Sequence, residues 1–270
     1  ILSGPDRFDA ASWRLELPGP RKSALKDFRV AVMLSSPEAE VDLAYQDCLQ
    51  GVVDKLAQLG VAISDKARPE VDTARAFEVY ITLLRAATSR RSSKEELKYF
   101  AQVLADANID KGTYLACMAQ GVIMPHREWL DWDNEREGMR LAWANFFNEW
   151  DILLCPAATS DAWPHDQEGE RHNRTITVNN KQQSVVDQMF WAGFPCMVYL
   201  PSTVAPAGLS PAGLPLGLQA VAAQGEDKTA WEVAKRDPDW AERFFRRQRL
   251  EELWQQVGFS LDLILSLIHI

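Results

Sequence analysis

The stretch FRVAVMLSSPEAEVDLAYQDCLQGVVDKLAQLGVAISD (28–65) decides the fold class. FRVAVML (28–34) is a short apolar run with β-branched residues, which is typical of a strand. A helical pattern then opens at Pro37 and Glu38, with apolar residues three and four apart, and Gly60 is suited to end it. VAISD (61–65) resumes as a strand. A strand, a helix and a second strand form the crossover unit of α/β sheets, so we predict an α/β fold.

The same hydrophobic periodicities predict further helices and strands on the C-terminal side of this unit. The predicted helices cover 70–89, a segment capped by Ser92 or Ser93, 113–150 with an interruption near Pro125, 185–192, 227–236 and 239–257. The predicted strands cover DILLCP (151–156), a hairpin turning at Asn179-Asn180, CMVYLP (196–201) and PLGLQAV (215–221), with a Pro/Gly/Ala-rich loop between the last two. Together they predict a mixed β-sheet core flanked by helices.

The charge balance excludes some partners. The chain has 270 residues and a formal net charge of −9, from 38 acidic and 29 basic residues, which disfavours a binder of nucleic-acid phosphates. No apolar run reaches the roughly 18 residues of a membrane span, so we expect no membrane partner. The four cysteines form no CxxC pair and are predicted to be buried free thiols, which fits a cytoplasmic protein.

The sequence contains no self-contained active site of a familiar kind. GxSxG elbows, HExxH helices and phosphate-binding Gly-rich loops are absent, so no metal site and no cofactor is predicted. Ser92-Ser93-Lys94 could suggest a nucleophile pair, but its charged surroundings favour a solvated helix cap. His165 and His172 fall in a polar loop without an identifiable nucleophile, so we interpret them as structural.

Three segments resemble the C-terminal region of the amidase signature family. They are ILSGPD (1–6), WDILLCPAAT (150–159) and RTITVNNKQQSVVDQMFWAGFPCMVYLPSTVAPAGLSPAGLPLGLQAVA (174–222). In the last segment a Pro follows an apolar run, a Pro/Gly-rich loop comes next, and a GLPxGxQ strand returns. The matching positions are Gly193, Pro195, Pro201, Gly208, Gly213, Leu214, Pro215, Gly217 and Gln219.

The GLPxGxQ positions also have a physical interpretation. Gly213 and Gly217 indicate a turn or a close backbone approach that a side chain would block. Pro215 suits the entrance of a strand, where its missing N–H costs nothing. Gln219 lies in an apolar strand and must find partners for a buried amide. These positions are therefore predicted to build the sheet rather than to contact substrate.

The resemblance implies the amidase-signature α/β/α fold and a parent enzyme that hydrolyses carboxylic amide C–N bonds with a Ser-Ser-Lys triad. No residue of this chain matches the triad, so we expect the chain alone to be inactive. It would supply strands and one wall of the acyl pocket, with Met189, Phe190, Trp191, Gly193 and the loop 202–213 as candidate lining. The expected partner is a small-molecule amide. A catalytically dead binding or scaffold homologue, a homodimer and an amidotransferase A-type subunit stay open.

The two ends of the chain differ in character. Residues 1–260 are expected to form a partial amidase domain, its C-terminal portion. LDLILSLIHI (261–270) is apolar with no polar face and has no counterpart in the family, so we hypothesise a frame or cloning artefact, or a truncated read, there.

Overall fold

A computed structural model describes residues 4–235 of the chain. It contains a five-stranded sheet with the strand order β2-β1-β3-β7-β6 and a separate two-stranded hairpin of β4 and β5. The strands are β1 (Arg29–Val32), β2 (Ala62–Ser64), β3 (Ile152–Pro156), β4 (Thr175–Val178), β5 (Lys181–Ser184), β6 (Ser202–Leu209) and β7 (Pro215–Val221).

The helices of the described residues flank this sheet. They are α1 (Leu43–Gln58), α2 (Thr73–Thr88), α3 (Lys94–Ala105), α4 (Tyr114–Ile123), α5 (His126–Glu149), α6 (Met189–Cys196) and α7 (Asp227–Lys235). The break between α4 and α5 lies at Met124 and Pro125, as predicted. The predicted helix at 239–257 and the tail at 261–270 lie outside the described residues.

The sheet is mixed, which confirms the predicted fold class. The β1–α1–β2 unit is the predicted parallel crossover, and β1 also pairs in parallel with β3. β7 runs antiparallel to β3, and β6 runs antiparallel to β7. All five residues of β3 are buried, because the strand lies at the centre of the sheet and is covered on both faces.

The first helix begins later than predicted. Residues 36–39 form a tight turn closed by a bridge between Ser36 and Ala39, so the helix cannot open at Pro37. Asp42 is the N-cap instead, and its carboxylate accepts hydrogen bonds from the backbone N–H groups of Ala44 and Tyr45. Side-chain capping chemistry, rather than the proline, determines where α1 starts.

The predicted strand at 196–201 is wrong. The segment continues and ends helix α6, and Tyr199 follows with a left-handed φ of 60°. The Leu200 N–H donates to the Pro195 carbonyl at 3.1 Å, which closes the helix end. The Pro/Gly/Ala-rich segment predicted as a loop is the strand β6. All four cysteines are free thiols, but the prediction that they are buried holds only for Cys117 and Cys155, since Cys48 is half-buried and Cys196 is exposed.

The hairpin prediction at 174–184 is confirmed. Asn179 and Asn180 have φ values of 50° and 61°, the left-handed pair that a type I′ turn requires. The Asn179 side chain also reaches the segment before α1, where its amide nitrogen donates to Glu40 and to the Val41 carbonyl. The hairpin is thereby attached to the start of the first helix.

Candidate functional site

The four predicted pocket residues lie on helix α6 and its first turn. Phe190 and Trp191 are fully buried in the core, and Met189 is partly buried. Gly193 packs against α2, where an added Cβ would lie 2.3 Å from the ring of Tyr80. Phe190 meets Phe77 edge to face at a centroid distance of 5.9 Å. None of the four lines either of two cavities, of about 880 and 600 Å³, in the described part of the chain, although Phe77 does line the smaller one.

Gly217 of the GLPxGxQ strand permits a close approach, as predicted. A Cβ there would lie 2.8 Å from the Cγ1 of Val204 on the neighbouring strand β6. The backbone of Gly217 also meets the hydroxyl of Tyr45 on α1. That hydroxyl donates to the Gly217 carbonyl and accepts from the Gly217 N–H at 3.1 Å. The missing side chain allows β6 and α1 to pack on the same strand.

The residues around the β6–β7 turn make backbone hydrogen bonds that close the turn and join the strand ends. Gly213 has φ +80°, and its N–H donates to the Ser210 carbonyl at 2.8 Å. The Leu214 carbonyl accepts from Ser210 at 2.8 Å, and Pro215 is the first residue of β7. Pro201 precedes β6 and its carbonyl accepts from Ala222 at 3.1 Å.

Gln219 finds its partners in helix α6 and strand β3. Its side-chain amide donates to the Trp191 carbonyl at 3.0 Å and lies 3.2 Å from the Cys155 sulfur. Trp191 is four residues before Pro195, which lies inside α6 and has no N–H to donate to that carbonyl. Gln219 therefore satisfies the acceptor that Pro195 leaves free, and the two motif residues act together.

Replacing Gln219 by leucine is expected to lower the free energy of unfolding by about 2 kcal/mol, because the buried Trp191 carbonyl loses its donor. In a Pro195→Ala background the same replacement is expected to cost less, because the alanine N–H can donate to that carbonyl. Urea unfolding followed by circular dichroism measures both steps as a double-mutant cycle. Equal costs in the two backgrounds would show that the residues are independent.

A cavity of about 600 Å³ lies between α2, the start of α4 and the turn at 184–187 that leads into α6. Its apolar wall includes Phe77 and Ile81 of α2 and Val186 of the turn. Its polar residues include three carboxylates, namely Glu38, Glu78 and Asp187, and one histidine, His172. Burial raises the pKa of Asp187 to about 6, although hydrogen bonds from Ser184 and Gln183 act in the opposite direction.

A second cavity, of about 880 Å³, lies under the loop at 160–174 and includes Trp163 and His165 in its lining. The Arg174 guanidinium orders this loop by donating to the carbonyls of Asp166, Glu168 and Gly169 at 2.7 to 3.0 Å. The two histidines predicted to be structural thus lie at cavities, His165 here and His172 at the first cavity.

The Ser92-Ser93-Lys94 segment is a helix cap, as predicted. The Ser93 hydroxyl accepts from the Glu96 N–H at 3.1 Å, and the Glu96 carboxylate accepts from the Ser93 N–H at 2.6 Å. Within residues 4–235, no group of three potential metal ligands occurs. No helix of this part is long and apolar enough to cross a membrane.

Sequence patterns missed the carboxylates of the first cavity. Asp187 had a local signal, since it is an acidic residue inside the apolar run VVDQMFWAG (185–193). Glu38 and Glu78 had none, because each lies in a charged or amphipathic stretch where a solvated side chain is the ordinary expectation. Their proximity depends on how the elements pack.

Several solved structures share this fold. A bacterial aryl acylamidase of the amidase signature family is similar with a TM-score of 0.61, at 16% identity over 89% of this chain. A second amidase has a TM-score of 0.55 at 19% identity over 84% of this chain. The A-type subunit of glutamyl-tRNA(Gln) amidotransferase from Thermotoga maritima has a TM-score of 0.59, at 14% identity over 88% of this chain.

The chain spans about half the length of these structures, covering 50%, 47% and 48% of them. No curated protein matches the chain. The family model for amidases matches residues 1–230, in agreement with the predicted resemblance. The chain therefore belongs to the amidase family.

Proposed function

We propose that this chain is the C-terminal portion of an amidase that hydrolyses carboxylic amide C–N bonds with a Ser-Ser-Lys triad located outside these 270 residues. The family match over residues 1–230 carries this proposal, together with the coverage of about half of the matched structures. An alcohol nucleophile needs a base within hydrogen-bond reach and donors for the oxyanion. Ser93, the serine beside Lys94, is engaged in a helix cap with Glu96, which supports a nucleophile elsewhere.

In the complete enzyme this chain would supply the sheet β2-β1-β3-β7-β6 and part of the acyl pocket. Helix α6, with Met189, Phe190, Trp191 and Gly193, would support that pocket from the side of the core. The expected substrate is a small amide, with no nucleic-acid partner, because the chain carries a net charge of −9. A cytoplasmic location belongs to the same proposal, because the four cysteines are free.

The 270-residue chain alone is expected to show no amidase activity and no labelling by a fluorophosphonate, which reacts with activated serines. Loss of a serine nucleophile lowers turnover by about 10⁶-fold, so hydrolysis of p-nitroacetanilide should equal the buffer rate. The measurement is absorbance at the nitroaniline band together with intact-protein mass spectrometry. Stoichiometric labelling of a serine in this chain would overturn the assignment of the triad to a missing segment.

The matched experiment uses the coding region upstream of Ile1. An in-frame Lys and a Gly/Ser-rich segment there, in a polypeptide that hydrolyses p-nitroacetanilide and is labelled at one serine, would support the amidase. An upstream region without these residues would contradict it and favour a binding or scaffold role for the chain.

A further inference from the structure

The carboxylates of the 600 Å³ cavity differ in how they are neutralised. Glu78 pairs with Arg75 at 2.6 Å, and Arg75 is further held by Glu135 at 2.7 Å. Glu38 accepts hydrogen bonds from the hydroxyls of Ser36 and Thr73, which carry no charge. Among the described residues, neither Glu38 nor Asp187 forms an ion pair with a lysine, arginine or histidine. The cavity therefore presents uncompensated negative charge.

The rest of the cavity is predominantly apolar. Phe77, Ile81, Ile109, Leu115 and Val186 contribute to its wall. An apolar cavity of several hundred Å³ with a few polar groups has the form of a small-molecule site, and the polar groups define which ligand end is recognised. Here the recognised end must be positive, because carboxylates are acceptors and no lysine or arginine is among the described residues that line the cavity.

We propose that this cavity binds an organic cation, a primary ammonium group on an aryl or alkyl body. The ammonium would lie at Asp187 and Glu38, and the apolar body along Phe77 and Ile81. This inference is independent of the proposed amidase function, because it concerns binding and is measured without turnover. A ligand that ion-pairs with Asp187 also removes the cost of holding that carboxylate charged in a half-buried place.

The pKa of Asp187 supports this role through its effect on stability. Its pKa is raised from 3.8 to about 6 by burial. A raised folded-state pKa means that stability is fully present below the unfolded value and falls as pH rises through the folded value. The charged carboxylate thus weakens the empty protein at neutral pH, which is expected of a ligand-binding group rather than of a purely structural one.

The test measures binding of phenethylamine to the 270-residue chain by isothermal titration calorimetry at about pH 7.5. Its neutral analogue 2-phenylethanol and its anionic analogue phenylacetate should bind at least about tenfold more weakly, since tenfold corresponds to one modest charge interaction. Asp187→Asn is expected to weaken phenethylamine binding by a similar factor. The matched control is Asp54→Asn, an exposed carboxylate on α1 outside the cavity, which removes the same charge and should leave affinity unchanged.

The pH profile separates Asp187 from the other groups that face the site. These are Glu38, Glu78 with its partner Arg75, His172, Tyr114 and the Cys117 thiol, whose pKa burial raises to about 11. Affinity for phenethylamine should rise between about pH 5 and about pH 7.5 as Asp187 ionises. The rise should be smaller in Asp187→Asn, where only the remaining groups contribute.

Melting temperatures show whether the Asp187→Asn variant is folded. We expect its Tm to exceed that of the unaltered chain by about 2–4 °C at about pH 7.5 and to equal it at about pH 4, because the amide never carries the buried charge. Weaker binding with an unchanged or higher Tm supports the proposal. Affinity within about threefold of the unaltered chain overturns it. If Asp187→Asn melts at a lower temperature than Asp54→Asn, the comparison of phenethylamine with its neutral and anionic analogues on the unaltered chain becomes the test. Equal binding of phenethylamine and 2-phenylethanol then overturns the proposal.

Discussion

Replacing Trp143 by alanine is expected to lower the free energy of unfolding by about 4 kcal/mol, because it empties a large site at the centre of the core. The Trp143 ring is fully buried. It meets Phe194 of α6 at 4.9 Å and stacks on Phe147 at 5.8 Å, so it joins the long helix α5 to α6. Urea unfolding followed by circular dichroism measures the loss as a shift of the midpoint.

Two controls define what Trp143 contributes. Leu141 lies on the same helix and is 68% exposed, so Leu141→Ala should cost less than about 0.5 kcal/mol. Trp143→Phe should cost far less than the alanine change, because in the described part of the chain the indole N–H has no hydrogen-bond partner to lose. A cost for Trp143→Ala no larger than that for Leu141→Ala would contradict the central position of this ring.

Replacing Gly121 by alanine is expected to cost about 3 kcal/mol, because it forces α2 and α4 apart. An added Cβ would lie 2.2 Å from the Thr82 carbonyl oxygen and 3.0 Å from the Ala86 nitrogen. Both atoms are backbone of α2, which cannot move aside as a flexible side chain could. The same unfolding measurement applies to this variant.

The matched control for Gly121 is Gly138, which lies within α5 with nothing inside 4 Å of an added Cβ. Gly138→Ala should stabilise the protein by up to about 1 kcal/mol, because alanine has the higher helix propensity. Changes of opposite sign in the free energy of unfolding for the two substitutions would separate the effect of close packing from that of helix propensity. A stabilising effect of Gly121→Ala would show that α2 and α4 are not held at this distance.

Local patterns were sufficient for most elements of this fold. The crossover at 28–65 follows from periodicity, and the Asn179-Asn180 hairpin follows from the left-handed conformation that its turn requires. The segment 196–209 was misjudged, because a short apolar run does not distinguish a strand from a helix end. Whether this segment ends a helix depends on Tyr199 adopting a left-handed conformation and on Gln219 donating to the Trp191 carbonyl that Pro195 leaves free.

The residues of the candidate site also divide into those that the sequence predicts and those that only the tertiary packing brings together. Gly217 lies where an added side chain would collide with Val204, so only glycine fits there. A glycine inside a strand indicates such a close approach, and the sequence was therefore enough to predict it. The motif at 174–222 likewise determined the family, which the match over residues 1–230 confirms. Glu38 carries no such mark and Asp187 carries only its place inside an apolar run, because a carboxylate's environment depends on which distant elements pack around it.

The sequence by itself therefore determined the family, the mixed α/β sheet and most of the segments that build it, with β6 as the exception, since these depend on residue types repeated at short spacing. The tertiary structure alone decided which residues share the 600 Å³ cavity. It did so by bringing the turn at 184–187 against α2 and the start of α4. There Asp187 is half-buried and forms no ion pair with a described residue, so we propose that the cavity prefers positive ligands. Burial and charge compensation are properties of this packing, and no local pattern encodes them.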